Sequence, residues 1–267
     1  MEENNNDIQQ APELSPAAGT PQNISLSDAL AGVFSEPGET FTEVKRSTRS
    51  TYWLLPLIII AFITALASFI VLNDEELSSE IKKTQMDAVK EKLDEAVKEG
   101  KITREQANEQ LEQTQKMFSG VIFTAIGIAG GFFGVIFIFF ILSLIYWLVF
   151  KMFKGGGSFI NFMNVLGLAS IITSIQVIIN SVLAIFMGRI YVNLGPVWLF
   201  TEEQLGKGLF KFVASFDLLT IWYLAVISIG FAKVSELKTS VTMPVVYGLW
   251  LVWALISSFV LTTFVGM

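Results

Sequence analysis

The sequence predicts an all-α polytopic membrane protein: a bundle of five transmembrane helices with a charged extramembrane hairpin between the first and second. Three observations carry this. Of 267 residues, 52% are hydrophobic and only 16% charged, against about 25% charged in an average soluble domain. No charged residue lies between Lys116 and Lys151, and a helix over that run would extend roughly 50 Å across a hydrocarbon layer of ~30 Å. The acidity also sits outside the apolar runs: residues 73–118 hold twelve acids and eight bases, and residues 1–51 hold eight acids and three bases.

These numbers exclude several function classes. A net charge of −6, concentrated in the water-exposed parts, argues against nucleic acid as a partner. With no cysteine there is no disulfide framework, thiolate nucleophile or thiolate metal site. With no histidine the usual general base and the commonest metal ligand are also missing. No nucleophile elbow and no phosphate-cradling glycine loop occurs. The expected sets of catalytic, cofactor-binding and metal-binding residues are therefore empty.

Residues 1–24 are polar and poor in large apolar side chains, as expected for a disordered tail. Within it Asn23-Ile24-Ser25 matches a glycosylation sequon, a pattern short enough to arise by chance. Residues 25–51 form an amphipathic segment. Leu26, Ala29, Leu30, Val33 and Phe34 recur at helical spacing, Ser25 or Ser27 offers a cap, and Pro37-Gly38 breaks the segment. Phe41 and Val44 then lead to Lys45, Arg46 and Arg49, which suits short helices at a membrane surface with cations near the headgroups. The first span is 52–72, opened by Tyr52-Trp53 at the interface, with Pro56 in its first turns.

The insert 73–118 reads as a helical hairpin standing off the bilayer. Gly100 suits the stop of its first helix, and Thr103 with Gln106 forms a capping box for a second that runs on into the next span. Its charges, Glu91, Glu95 and Lys98 among them, read as a solvated face or a partner surface. The second span, 119–150, carries Gly127, Gly130, Gly131 and Gly134. These give two small-xxx-small pairs, Gly127/Gly131 and Gly130/Gly134, expected to pack helices closely and to make this span the one the others lean on.

Gly155-Gly156-Gly157-Ser158 reads as a short flexible joint. The third span, 162–187, places Thr173, Gln176 and Asn180 on one face. Such a face turns toward other helices or a cavity, because unpaired amides in hydrocarbon are costly. It reads as interhelical hydrogen bonding or as a polar path. Residues 188–212 form a second loop region, with Thr201-Glu202-Glu203-Gln204 as a helix start. The fourth span is 213–234 and the fifth 243–265, the latter with Pro244 at its start. Asp217 is the one carboxylate near a span. It reads as a helix cap or structural partner near Arg189 or Lys211, or as a group handling protons or ions.

Five spans put the termini on opposite sides. Lys45/Arg46/Arg49, Lys151/Lys154 and Lys233/Lys238 share one face, which reads as cytoplasmic. The N-terminus is then inside and the C-terminus outside. The eight Lys/Arg of the insert run against that orientation.

Several stretches taken together resemble the Yip (Ypt-interacting protein) family of five-span membrane proteins, in its bacterial form. Phe34-Ser35-Glu36-Pro37 with Phe41, followed by a span containing Pro56, is similar to the family's "P-x-x-x-F" opening. Lys154-Gly155-Gly156-Gly157-Ser158-Phe159 is similar to its glycine-rich link. Phe216-Asp217-Leu218-Leu219-Thr220-Ile221-Trp222, with Gly230 and Lys233, is similar to its "D-x-F-x-x-W … G" span, Leu219 standing where the pattern has phenylalanine. The resemblance covers about residues 34–260 and implies a cytosolic N-terminus, five spans and no catalytic activity. Eukaryotic relatives are tied to Rab GTPases and vesicle traffic. This chain lacks their Asp-Leu-Tyr-Gly-Pro segment, so no GTPase-binding residue carries over. Some bacterial relatives are associated with ABC-type exporters.

The expected function is a non-catalytic accessory or assembly factor for an export or trafficking machinery. The alternative is a small permease or channel using the polar face of the third span and Asp217. Membrane lipids and other membrane proteins, an ABC-type exporter among them, are the expected partners; a homo-oligomer is compatible with the sequence. The cytoplasmic (inner) membrane is the expected site if the chain is bacterial.

Overall fold

The computed structural model describes residues 23–118 and 120–260; the expectations for residues 1–22 and 261–265 lie outside them. The chain runs through α1 (Leu26–Ser35), α2 (Pro37–Arg46), α3 (Leu54–Asn73), α4 (Glu75–Lys98), α5 (Arg104–Phe118), α6 (Val121–Met152) and α7 (Phe159–Met187). A 3-10 turn (Pro196–Leu199), α8 (Glu202–Leu205) and α9 (Lys207–Ala214) then lead to α10 (Leu218–Ser235) and α11 (Thr239–Leu255), which ends in a π turn (Ile256–Val260). No strand occurs among the described residues. Helices α3, α6, α7, α10 and α11 with its π turn are each long and apolar enough to cross a membrane. The protein is an integral multi-pass membrane protein.

The packing centre is not the long apolar run. Helix α7 holds that place, touching α1, α2, α3, α6 and α10. Helix α6 lies at the periphery: 17% of its most apolar stretch is buried, against 33% for α7 and 50% for α10. Composition explains the difference. Helix α6 is apolar on every side, which suits contact with lipid. Helix α7 instead buries Asn164, Gly167, Ser170 and Ser174, the small and polar residues that let membrane helices approach. A Cβ at Gly167 would overlap the Trp53 backbone of the segment entering α3.

The two glycine pairs of α6 differ. Gly127 and Gly131 lie on α3: a Cβ at Gly131 would sit 2.7 Å from Ser68 Oγ and 3.2 Å from the Thr64 carbonyl, and one at Gly127 would strike Leu72. Among the described residues nothing lies within 4 Å of a would-be Cβ at Gly130 or Gly134. Nor does α5 run on into α6. The backbone breaks at Gly120, at φ 102 and ψ −162, a conformation open essentially to glycine alone.

Helices α1 and α2 turn their apolar residues into the bundle. Ala29, Val33, Phe41 and Val44 join the core formed by α3, α6, α7 and α10. Phe41 is fully buried, worth about 2–3 kcal/mol for a side chain of this size. It lies over Gly230, where a Cβ would come within 2.9 Å of its ring and 2.5 Å of Val165. Beneath it Phe231 packs on Tyr146, Phe150 and Phe162 at centroid distances of 4.8, 5.4 and 5.1 Å. Lys45 closes this end on Glu236, 2.6 Å away. Asn23 of the sequon ties down the chain between α2 and α3, its Oδ1 accepting from Ser47 Oγ at 2.6 Å and from Thr48 N at 3.0 Å.

The glycine link is packed, not loose. Gly156 N donates to Ser235 O at 2.7 Å. Gly157, at φ 82, leaves only 2.6 Å between a would-be Cβ and the Val234 carbonyl. Glycine serves here for close approach of two backbones. Helix α11 starts at Thr239, four residues earlier than its sequence signals, so that Pro244 falls inside it. The extension is held by Thr242, whose buried hydroxyl donates to Ser228 O of α10 at 2.7 Å.

Candidate functional site at the α7–α10 junction

The polar residues singled out in the sequence converge where α7 ends and α10 begins. A carboxylate at the start of a helix meets amide donors that have no partner within the helix. Asp217 is therefore the N-cap of α10: its Oδ1 accepts from Leu219 N at 2.7 Å and Thr220 N at 3.3 Å. Its Oδ2 accepts from Leu194 N of the loop at 3.2 Å and from Asn180 Nδ2 of α7 at 3.5 Å. The residue is 2% exposed. One side chain thus ties α7, the loop and α10 together.

A second polar contact runs parallel to the first, with Gln176 Nε2 donating to Thr220 Oγ1 at 2.8 Å. Thr173, which shares the sequence-predicted face, makes no hydrogen bond through its side chain among the described residues. Arg189 and Lys211 are not partners of Asp217. The ion pairs among the described residues are Lys45–Glu236, Lys101–Glu99, Arg104–Asp94 and Lys116–Glu112. The carboxylate instead faces backbone amides at the positive end of α10.

Sequence reasoning missed the loop's share in this junction. Asn193 Nδ2 donates to Ala214 O at 2.7 Å, and Leu218 N donates back to Leu194 O at 3.2 Å. A Cβ at Gly195 would collide with the Phe216 carbonyl. The signal was present in Asn193-Leu194-Gly195-Pro196, a run of turn-forming residues that marks a tight bend. Tyr247 of α11 adds a hydrogen bond to Ile221 O at 2.9 Å. Two acceptors in this region, Asn180 Oδ1 and Asn193 Oδ1, are buried without a partner.

Chemically, the junction is a backbone staple. Both oxygens of Asp217 are occupied by donors, and no group of three or more acids suited to a metal occurs among the described residues. The Yip1 domain profile matches residues 31–261. The chain belongs to the Yip1 family. No curated protein and no solved structure matches it. In this Yip1 domain the motif residues carry packing roles: Phe41 over Gly230, the glycine link against the end of α10, and Asp217 at its start. Helix α10 is fixed at both ends by them.

Proposed function

We propose that this Yip1-family protein is a non-catalytic accessory or assembly factor in its membrane, serving an export or trafficking machinery. The observation that supports this reading is that the carboxylate and the side-chain donors of the α7–α10 junction are engaged within the fold. Asp217 accepts from three backbone amides and Asn180, and Gln176 is paired with Thr220. The charged faces of α4 and α5 are left exposed. On this reading the N-terminus is cytoplasmic and the α4–α5 hairpin lies on the opposite side, following the shared face of Lys45, Lys151 and Lys233. The test is purification of the full chain in mild detergent, with identification of co-purifying membrane proteins by mass spectrometry. A stoichiometric partner, lost when Glu91, Glu95 and Lys98 are charge-reversed, supports the reading. Recovery as an isolated species refutes it.

One observation favours a second reading, a small permease or channel: Asn180 Oδ1 lies buried without a partner beside Asp217. Flux into liposomes that Asn180→Ala abolishes, with the fold intact by circular dichroism, would replace the first reading with this one.

A further inference from the structure

A second polar feature lies outside the junction. Between the base of the hairpin and the α7–α10 loop is a cavity of about 330 Å³. One wall is α4, which presents Glu80, Thr84 and Asp87 at the i, i+4, i+7 spacing of a single helix face. The facing wall is α9, which presents Lys207 and Lys211, also one turn apart. Arg189 adds a further base to the lining, and Glu202 of α8, beside α9, adds a further acid. An acidic wall thus stands opposite a basic one. None of these six charged groups forms an ion pair among the described residues, where the four pairs lie elsewhere.

The gap is built into the packing. The acidic wall is anchored through Leu77, fully buried with Ala184 and Val192. Below it the Glu76 carboxylate lies 3.0 Å from where a Cβ at Gly188 would be. The basic wall is anchored through Phe210, buried edge-on against Tyr191 at 5.7 Å between centroids. With each wall pinned to the bundle, opposite charges face one another across space instead of closing into contact. Burial and the Lys207 charge lower the Lys211 pKa, against the opposing charge of Glu202. Burial and the charges of Glu202 and Glu80 raise that of Tyr191. Arg189 follows the end of α7 at Met187 by two residues and Glu80 follows the end of α3 at Asn73 by seven, so both stand near the ends of spanning helices, where phospholipid headgroups lie.

We propose that this cavity binds a small zwitterion carrying a phosphate and an ammonium group, as in a phosphoethanolamine moiety. The phosphate takes charge-assisted hydrogen bonds from Lys207, Lys211 and Arg189. The ammonium donates to Glu80, Asp87 and Glu202. An anionic ligand without the ammonium meets the acidic wall with nothing to pair it, which sets the preference.

The test is native mass spectrometry of the full chain released from detergent, titrated with dihexanoyl phosphatidylethanolamine and dihexanoyl phosphatidylglycerol. The wild type binds the ethanolamine lipid at least about tenfold more tightly. K207Q/K211Q weakens that binding by about tenfold or more. E80Q/D87N abolishes the preference by raising affinity for the glycerol lipid, a gain that a misfolded protein would not show. Equal binding of the two lipids by the wild type, or an undiminished preference in E80Q/D87N, overturns the proposal. Titration with water-soluble glycerophosphoethanolamine then identifies the source. Binding of both compounds points to a free solute, and binding of the lipid alone points to a membrane headgroup.

Discussion

Replacing Asp217 separates a structural staple from a titrating group. Asp217→Ala removes the cap on Leu219 N and Thr220 N, a loss of about 0.5–2 kcal/mol for an N-cap. It also strands the Leu194 amide, which donates to Oδ2 at 3.2 Å, in a site where Asp217 itself is only 2% exposed. A buried donor left unpaired costs about 1–3 kcal/mol. The two effects together reach about 1.5–5 kcal/mol. Asp217→Asn keeps an oxygen for the cap but turns an NH2 group toward the Leu194 amide and Asn180 Nδ2, donor against donor. It therefore loses about the second part only. The assay is unfolding of the purified protein by graded SDS in mild detergent, followed by circular dichroism. The expected order of stability is wild type, then Asn, then Ala, with any pH-dependent activity retained in the Asn variant. An Ala variant that unfolds with the wild type would refute the staple, as would an Asn variant that is fully stable but has lost a pH-dependent flux.

Other outcomes are equally concrete. Gly131→Ala drives a methyl against the Thr64 carbonyl and Ser68 Oγ and destabilises by about 1–3 kcal/mol, whereas Gly130→Ala meets open space and is neutral or stabilising by up to about 1 kcal/mol; the same SDS titration reads both. The hydrogen bond and charge of Lys45 lower the Glu236 pKa from 4.5. A carboxylate lowered in this way stabilises the fold above that value, and its contribution is lost as pH falls through the lowered one. The stability difference between wild type and Glu236→Gln should therefore be present at pH 7 and vanish in acid. Reporter tags on the two termini should be found on opposite sides of the membrane, by protease protection or tag activity; both on one side would undo the five-span reading.

Features set by a few neighbouring residues were legible in the sequence. Five apolar runs announce five spans because length and the absence of charge decide insertion. The capping box at Thr103/Gln106 and the helix start at Thr201–Gln204 are local chemistry; the first forms with its reciprocal hydrogen bonds, and the second proves to be a capping box as well. Features set by distant partners were not legible. Nothing in the spacing of Phe41 and Val44 says that α2 docks on α10, because an amphipathic face suits a membrane surface and a protein groove alike. Gly130 and Gly131 are adjacent in the chain, yet only the second faces α3, since spacing along α6 is blind to where its neighbours stand. The break at Gly120 had a local signal in the pair Ser119-Gly120, a turn-forming dipeptide masked by the uncharged run on either side. At the α7–α10 junction, the capping role of Asp217 could be read from its position, but its reach to Leu194 and Asn180 depends on a loop fold that no local pattern encodes.

The enclosure of α10 bears on how the protein is made. Of the five spans it has half of its most apolar stretch covered by protein, with Phe41 seated over one end and the Asn193–Gly195 bend across the other. Its lining is therefore other helices more than acyl chains, and its final environment exists only after the N-terminal and central segments are already in place. Maturation should accordingly be slowest at this helix, and shielding of a label on Leu224 or Ile227 would serve as a clock for the last step of assembly.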